Sequence, residues 1–173
     1  CNECGMWNSL SEKNIAKPNR FKGEFSTAYG APIDLSSIQM VEISRMSTGS
    51  GEFDRVLGGG FVEGAVTLLG GEPGIGKSTL ALQCAARLSV ANSVLYSTGE
   101  ESLQQLAIRA SRTGVESSNI KIIANSELEK VLYIAGSMGP KLVVIDSIQT
   151  LFSTGQESAA GSISQVRTCA DRL

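Results

Sequence analysis

Nine consecutive residues, Gly71-Glu72-Pro73-Gly74-Ile75-Gly76-Lys77-Ser78-Thr79, have the types and spacing needed to hold nucleotide phosphates. They satisfy the P-loop pattern G-x-x-x-x-G-K-S/T at every fixed position. Three glycines leave the backbone N–H groups clear of Cβ atoms, so those groups can converge on an anion. A helix starting at the end of the loop aims its positive end at the same point. Lys77 can reach the outer phosphates, and the Ser78 hydroxyl can ligate Mg²⁺. A second stretch, Leu142-Val143-Val144-Ile145-Asp146, is four apolar residues ending in an aspartate. Such a buried strand delivers a carboxylate at its C-terminal edge, where Asp146 can hold Mg²⁺ opposite Ser78. Taken alone, the stretch reads equally well as a strand that ends in a polar residue. Following a complete P-loop in an α/β pattern, it reads as the Walker B element.

A third stretch, Tyr96-Ser97-Thr98-Gly99-Glu100-Glu101-Ser102, also follows a strand, on the edge where open α/β sheets bind ligands. A carboxylate there can orient and deprotonate the water that attacks a γ-phosphate. Glu100 is the better candidate and Glu101 the second. The competing reading is an acidic helix N-terminus, favoured by the helix dipole. Gln149, three residues past Asp146, reads either as a γ-phosphate sensor or as a solvated loop amide.

These residues need a scaffold, and the chain supplies one. The apolar run 65–70 leads directly into the P-loop and is expected to be a strand, the order the motif requires. Leu80, Ala81, Cys84, Ala85 and Leu88 recur at helical spacing, predicting a helix from Lys77 to Ser89. Strands follow at 94–97, 120–123 and 142–145, with helices at 103–113 and 128–137 between them. This rhythm predicts a mostly parallel sheet flanked by helices, with 66–69 and 142–145 as central buried strands. Upstream, 41–43 suggests a short strand, and 52–57 a short helix ended by Gly58-Gly59-Gly60. The expected organisation is a half zinc motif at 1–10, a linker at 11–43 and an ATPase-type domain from 44 to 173.

Composition narrows the class. The 173 residues are 42% hydrophobic and 18% charged, with a net charge of −2. That is an ordinary globular balance, and it gives nucleic-acid binding no support from global charge. No stretch approaches the roughly 18 apolar residues of a membrane span, and no signal peptide is visible. A cytoplasmic protein with no membrane partner is expected. Of the four cysteines, Cys84 and Cys169 lie in apolar helical patterns and read as core residues. Cys1 and Cys4 form a C-x-x-C followed by glycine. With no histidine in the chain, they offer half of a tetrahedral zinc site.

The run Arg45-Met46-Ser47-Thr48-Gly49, then Glu52-Phe53-Asp54-Arg55-Val56-Leu57-Gly58-Gly59-Gly60, resembles the bacterial RadA (Sms) family. So do the P-loop with its flanks, Gly99-Glu100-Glu101-Ser102, and Asp146-Ser147-Ile148-Gln149-Thr150. Cys1, Cys4, Gly5, Trp7 and Asn8 are similar to the second half of that family's four-cysteine zinc motif. The resemblance covers essentially the whole chain. It implies a RecA-like P-loop ATPase that acts in DNA repair and recombination and promotes branch migration. It implies hexameric rings, single-stranded and branched DNA as partners, and a RecA-type recombinase. By the same resemblance ATP, Mg²⁺ and Zn²⁺ are the cofactors, Asp146 is the magnesium carboxylate and Glu100 the water-activating base. The segment 154–164 would face DNA, although Ser153-Thr154-Gly155-Gln156-Glu157-Ser158 contains no Lys or Arg and Arg167 is the nearest basic residue.

The departures from the family pattern are a missing first C-x-x-C and an absent later part. The second DNA loop, a Lys-Asn-Arg-Phe-Gly motif and a Lon-protease-like domain do not follow. In RecA-like sheets the strand after Walker B inserts between the Walker A and Walker B strands. The expectation is therefore a fragment of a longer protein, with a RecA-like sheet incomplete at its C-terminal side, marginally stable and with little or no ATPase activity by itself. Two rivals stand beside the ATPase reading. One is a nucleotide-binding switch that hydrolyses poorly. The other is a relative of the KaiC type, which also carries paired glutamates after its second strand. The Trp7-Asn8 half motif and the Glu52–Gly60 run favour RadA.

Overall fold

The most deeply buried segment is Val94-Leu95-Tyr96-Ser97-Thr98, all five residues of which are buried. In a parallel sheet such burial marks a central strand, covered on both faces and laddered on both edges. The computed structural model describes residues 34–39, 43–115 and 119–173. The chain divides into two units, Cys1–Val41 and Glu42–Leu173. In the first, the described part is a single 3-10 turn at Leu35–Ser37 with no buried residue.

In the second unit the elements run β1 (Arg45–Met46), α1 (Gly51–Val56), β2 (Phe61–Val62), α2 (Lys77–Ser89), β3 (Val94–Thr98), α3 (Leu103–Arg112), β4 (Ile120–Ala124), α4 (Leu128–Met138), β5 (Leu142–Asp146) and α5 (Ile163–Arg172). Strands β4, β3 and β5 form one sheet in that order, and both pairings are parallel. Thr98 lies level with Ala124 on one side and Asp146 on the other. All three strands therefore end at the same height, and the loops that follow them share one edge.

Alternation along β3 divides the core. Val94 and Tyr96 face a cluster with Leu82, Ala85 and Leu88 of α2 and Leu106 of α3. On the other face Leu128 and Val131 of α4 pack with Leu151 and Cys169, flanked by Ile123 and Ile145. Helices thus cover both faces, as the α/β rhythm requires. Cys84 and Cys169 are both buried and free. A capping box fixes the start of α3: Ser102 Oγ accepts from Gln105 N–H at 3.2 Å, while Gln105 Oε1 accepts from Ser102 N–H at 3.0 Å.

Two expectations need correction. The run 65–70 is not a strand: it has no regular structure, and Val66 and Leu68 are 77% and 82% exposed. Its ends are tied near the two ends of β5. Lys141, just before β5, pairs with Glu63 at 2.7 Å, and Ser78 bonds Asp146 at its end. An extended chain becomes a strand only when its N–H and C=O groups ladder with a neighbouring strand; Ala65 N–H makes only a local bond to Val62 O at 3.1 Å, and among the described residues no strand pairs with 65–70. The second correction follows from the first: β5 is an edge strand of the three-stranded sheet, and β3 is the central one. Upstream, Arg45–Met46 forms a short strand that pairs antiparallel with β2; the strand expected at 41–43 falls on residues 41–42, which lie outside the described residues.

The small β1-α1-β2 segment is held by hydrogen bonds more than by apolar burial. Arg45 Nη1 donates to Leu57 O at 2.9 Å, and Arg87 Nη1 of α2 donates to Gly49 O at 2.7 Å. Gly60 is required, because its φ is 121° and a Cβ there would lie 2.3 Å from Met46 O.

On the α4–α5 face, Glu129 accepts from Ser153 Oγ at 2.7 Å and Thr154 N–H at 3.3 Å, and pairs with Arg172. The Ser153 and Arg172 hydrogen bonds hold its carboxyl down at about 2, against an ordinary 4.5. A carboxyl lowered by folding stabilises the protein above its unfolded pKa and loses that contribution as pH falls through the folded value. Wild type should therefore lose stability between about pH 5 and pH 2. Glu129→Gln should be less stable at neutral pH and lose less over that interval. Melting temperatures of the two proteins across this range check it; parallel curves would contradict the assignment.

Candidate active site

The phosphate loop is shaped by its glycines. Gly74 and Gly76 have φ of 79° and 103°, values that favour glycine because a side chain is strained there. Gly76 is the N-cap of α2 and supplies no side-chain cap. Only with Leu80 N–H, donated to Gly76 O at 2.9 Å, does the helical ladder begin. The amides of Lys77, Ser78 and Thr79 therefore precede the ladder and are oriented for an anion at the helix N-terminus. Lys77 Nζ lies back across the loop, donating to Gly71 O at 2.9 Å and Glu72 O at 2.8 Å.

The second half of the site comes from the sheet edge. Asp146 ends β5, and its Oδ1 accepts from Ser78 Oγ at 2.9 Å. This contact joins residues 68 positions apart and brings the P-loop and Walker B stretches together. Its other oxygen, Oδ2, accepts from Tyr96 O–H at 2.7 Å and faces Arg109 Nη1 at 3.8 Å. Mg²⁺ prefers hard oxygen donors in an octahedron at about 2.1 Å, whose adjacent vertices are about 3.0 Å apart. The Ser78 and Asp146 oxygens meet that requirement in type and spacing. Among the described residues no group of three or more His, Cys, Asp or Glu side chains is arranged to hold a metal ion by itself. A Mg²⁺ held here would take its remaining ligands from phosphate and water, its usual habit.

The two glutamates after β3 differ. Glu100 is exposed and accepts a short hydrogen bond from Ser147 Oγ. Glu101 turns inward, with its side chain 12% exposed, and pairs with Arg109 Nη2 at 2.9 Å. Burial raises the Glu101 carboxyl above its ordinary value; Arg109 opposes this, and Asp146 and Glu100 add to it. The Tyr96 hydroxyl is pushed up first by burial and then by its bond to Asp146, so it serves as a donor. Beside these groups lies a cleft of about 490 Å³, lined by Thr79, Glu101, Gln105, Ile108, Arg109 and Arg112 among others.

The structure therefore brings Ser78, Asp146, Glu100 and Glu101 to one edge, with Lys77 at the loop. Gln149 is exposed on the turn after β5, which leaves both of its readings open. Residues 154–162 lie between β5 and α5, and residues 163–164 open α5. Buried Gln165 clasps them, its Nε2 donating to Gln156 O at 3.0 Å and Ser158 O at 2.8 Å. Cys1 and Cys4 lie outside the described residues. Sequence reasoning missed Tyr96, Arg109 and Ser147 as site residues. A signal for Arg109 exists: it lies three positions after Leu106, on the stripe that α3 turns toward the core. For Tyr96 the signal is its alternation with Val94 on β3.

The family model described as "ATPase: KaiC" matches residues 46–125. The chain is 44% identical over 178 residues to the DNA repair protein RadA of Bacillus subtilis, covering 100% of this chain and 39% of that protein. Against RadA of Escherichia coli it is 44% identical over 180 residues, with 100% and 39% covered. Against RadA of Aquifex aeolicus it is 43% identical over 176 residues, with 100% and 38% covered. The chain thus spans about two fifths of the length of these curated relatives. The similarity to RadA proteins holds along the whole chain, and the fold is that of a RecA-like ATPase domain.

Gly99 ties the loop of the glutamates to the turn after Asp146. Its N–H donates to Asp146 O at 2.9 Å. A Cβ on it would lie 2.1 Å from Thr150 Oγ1 and 2.7 Å from Thr150 Cβ. Gly99→Ala should therefore cost about 1–3 kcal/mol through overpacking. Chemical denaturation checks this, and an unchanged midpoint would contradict the close approach.

Proposed function

Because the chain resembles RadA from end to end on a RecA-like fold, we propose that it carries the nucleotide site of an ATP-hydrolysing DNA repair protein. The observation that carries the reading is the 2.9 Å contact between Ser78 Oγ and Asp146 Oδ1. It unites two motifs that have no reason to meet unless they share a metal-bound nucleotide. In this reading the 71–79 loop cradles the phosphates and Lys77 exchanges its loop carbonyls for the outer phosphate oxygens. Ser78 and Asp146 hold Mg²⁺, whose bound charge would offset that of the phosphates. Glu100, exposed and bonded by Ser147, orients the attacking water and takes its proton. The cleft beside Thr79, with Ile108 as its apolar side chain, suits the nucleoside.

The finer parts of the proposal rest on the family resemblance. They are DNA-dependent ATP turnover, branch migration of recombination intermediates, a homo-hexameric ring and partnership with a RecA-type recombinase. Segment 154–164 is proposed to face DNA. Lacking Lys and Arg, it would do so through backbone and hydroxyl groups, which contact phosphate without reading sequence. Zinc held by Cys1 and Cys4 with two further ligands belongs to the same proposal, as does a cytoplasmic location. The alternative is a KaiC-like nucleotide-binding switch with weak hydrolysis; the match at residues 46–125 to a family model described as "ATPase: KaiC" supports the KaiC likeness and says nothing of weak hydrolysis.

Two variants separate these readings. Lys77→Ala should abolish ATP turnover while leaving the far-ultraviolet circular dichroism unchanged; normal turnover would defeat the P-loop assignment. Glu100→Gln should bind a fluorescent ATP analogue with near wild-type affinity yet lose about 10²-fold or more in turnover. A Glu100→Gln protein that turns over ATP like wild type would favour the switch.

A further inference from the structure

The two oxygens of Asp146 are chemically equivalent until neighbours distinguish them, because the carboxylate rotates over a broad torsional range. Here they are distinguished. Oδ1 meets Ser78 on the P-loop side. Oδ2 is held on the core side by Tyr96 O–H at 2.7 Å and faces Arg109 Nη1 at 3.8 Å. Arg109 is itself fixed by Glu101, Nη2 to Oε2 at 2.9 Å. Tyr96 is fully buried, so its hydroxyl has one packed position. The chain of contacts runs Glu101 to Arg109 to Asp146 to Ser78, from α3 across the sheet edge to α2.

From this geometry we infer that Arg109 and Tyr96 are positioning residues. They lock the Asp146 carboxylate so that Oδ1 faces the metal site beside Ser78. Glu101 is the counter-ion that aims Arg109 and has no role as a second base. The inference rests on the ATPase reading and divides labour within the glutamate pair: Glu100 stays available for water, while Glu101 is occupied by the guanidinium. Arg suits this place because one planar fork can face two carboxylates at once, which a lysine ammonium does less well. Without Arg109, Glu101 and Asp146 would face each other with no cation between them, and only Tyr96 and Ser78 would hold the Asp146 carboxylate against that repulsion.

The test measures metal binding without turnover. Mn²⁺ is titrated into the protein with the non-hydrolysable analogue AMP-PNP and followed by electron paramagnetic resonance. Losing an outer support of a metal ligand typically weakens metal binding about 10- to 100-fold. Arg109→Gln should weaken Mn²⁺ binding about tenfold and Tyr96→Phe several-fold. Adding Glu101→Gln to Arg109→Gln should cost little more, since the two act as a unit. Arg109→Lys should recover part of the loss. Mn²⁺ affinities of Arg109→Gln and Tyr96→Phe within twofold of wild type would overturn the inference. If Arg109→Gln does not fold, Tyr96→Phe decides alone, because it removes only a hydroxyl. A wild-type protein that binds no Mn²⁺·AMP-PNP would instead sink the ATPase reading, and the inference with it.

Discussion

The carboxylate of Asp146 is the constraint on which the site depends. A charged group at the end of a half-buried strand is costly unless donors surround it. Ser78 and Tyr96 do so from α2 and β3, and the Arg109 guanidinium of α3 stands 3.8 Å away as a counter-charge. Each donor also fixes the element that carries it. Helix α2 must begin at Lys77 for Ser78 to reach Asp146, and β3 must pair in register with β5 for Tyr96 to lie beside it. The register that sets Thr98 level with Asp146 thus positions the phosphate loop as well as the sheet.

The loops at that edge are knitted by the same logic. Gly99 N–H donates to Asp146 O, Phe152 N–H to Ser126 O, and Leu128 N–H to Phe152 O. The three strand ends are therefore bonded to one another beyond the ladder itself. A glycine at position 99 lets the turn after Asp146 come close enough for this. The loop after β5 then leaves the site and enters the Gln165 clasp, so the metal-side carboxylate and the exposed 154–164 segment share one short stretch of chain.

Much of this was legible in the sequence, and the exceptions have physical causes. Helix α2 was predictable to the residue, because Gly76 marks its start and its apolar residues recur at helical spacing. The elements from β3 to β5 followed from alternating strand and helix periods. The run 65–70 misled because composition records only a preference for strand, whereas a strand requires a neighbour to ladder with. Glu63 and Ser78 on either side of it are tied to Lys141 and Asp146, but the run itself ladders with no strand among the described residues. For the same reason β3 rather than β5 proved central: five apolar or small residues say a strand is buried, and strand order comes from tertiary pairing. Glu101 looked like a possible base because sequence shows adjacency of carboxylates, while its partner Arg109 lies two helical turns away.

The central claim is that Asp146 and the phosphate loop make one metal-dependent nucleotide site. Binding of an ATP analogue with and without Mg²⁺, compared between wild type and Asp146→Asn, tests it most directly. Wild type should bind more tightly with Mg²⁺, and Asp146→Asn should bind with nearly the same affinity in both conditions. An Asp146→Asn protein that keeps the full wild-type response to Mg²⁺ would contradict the account.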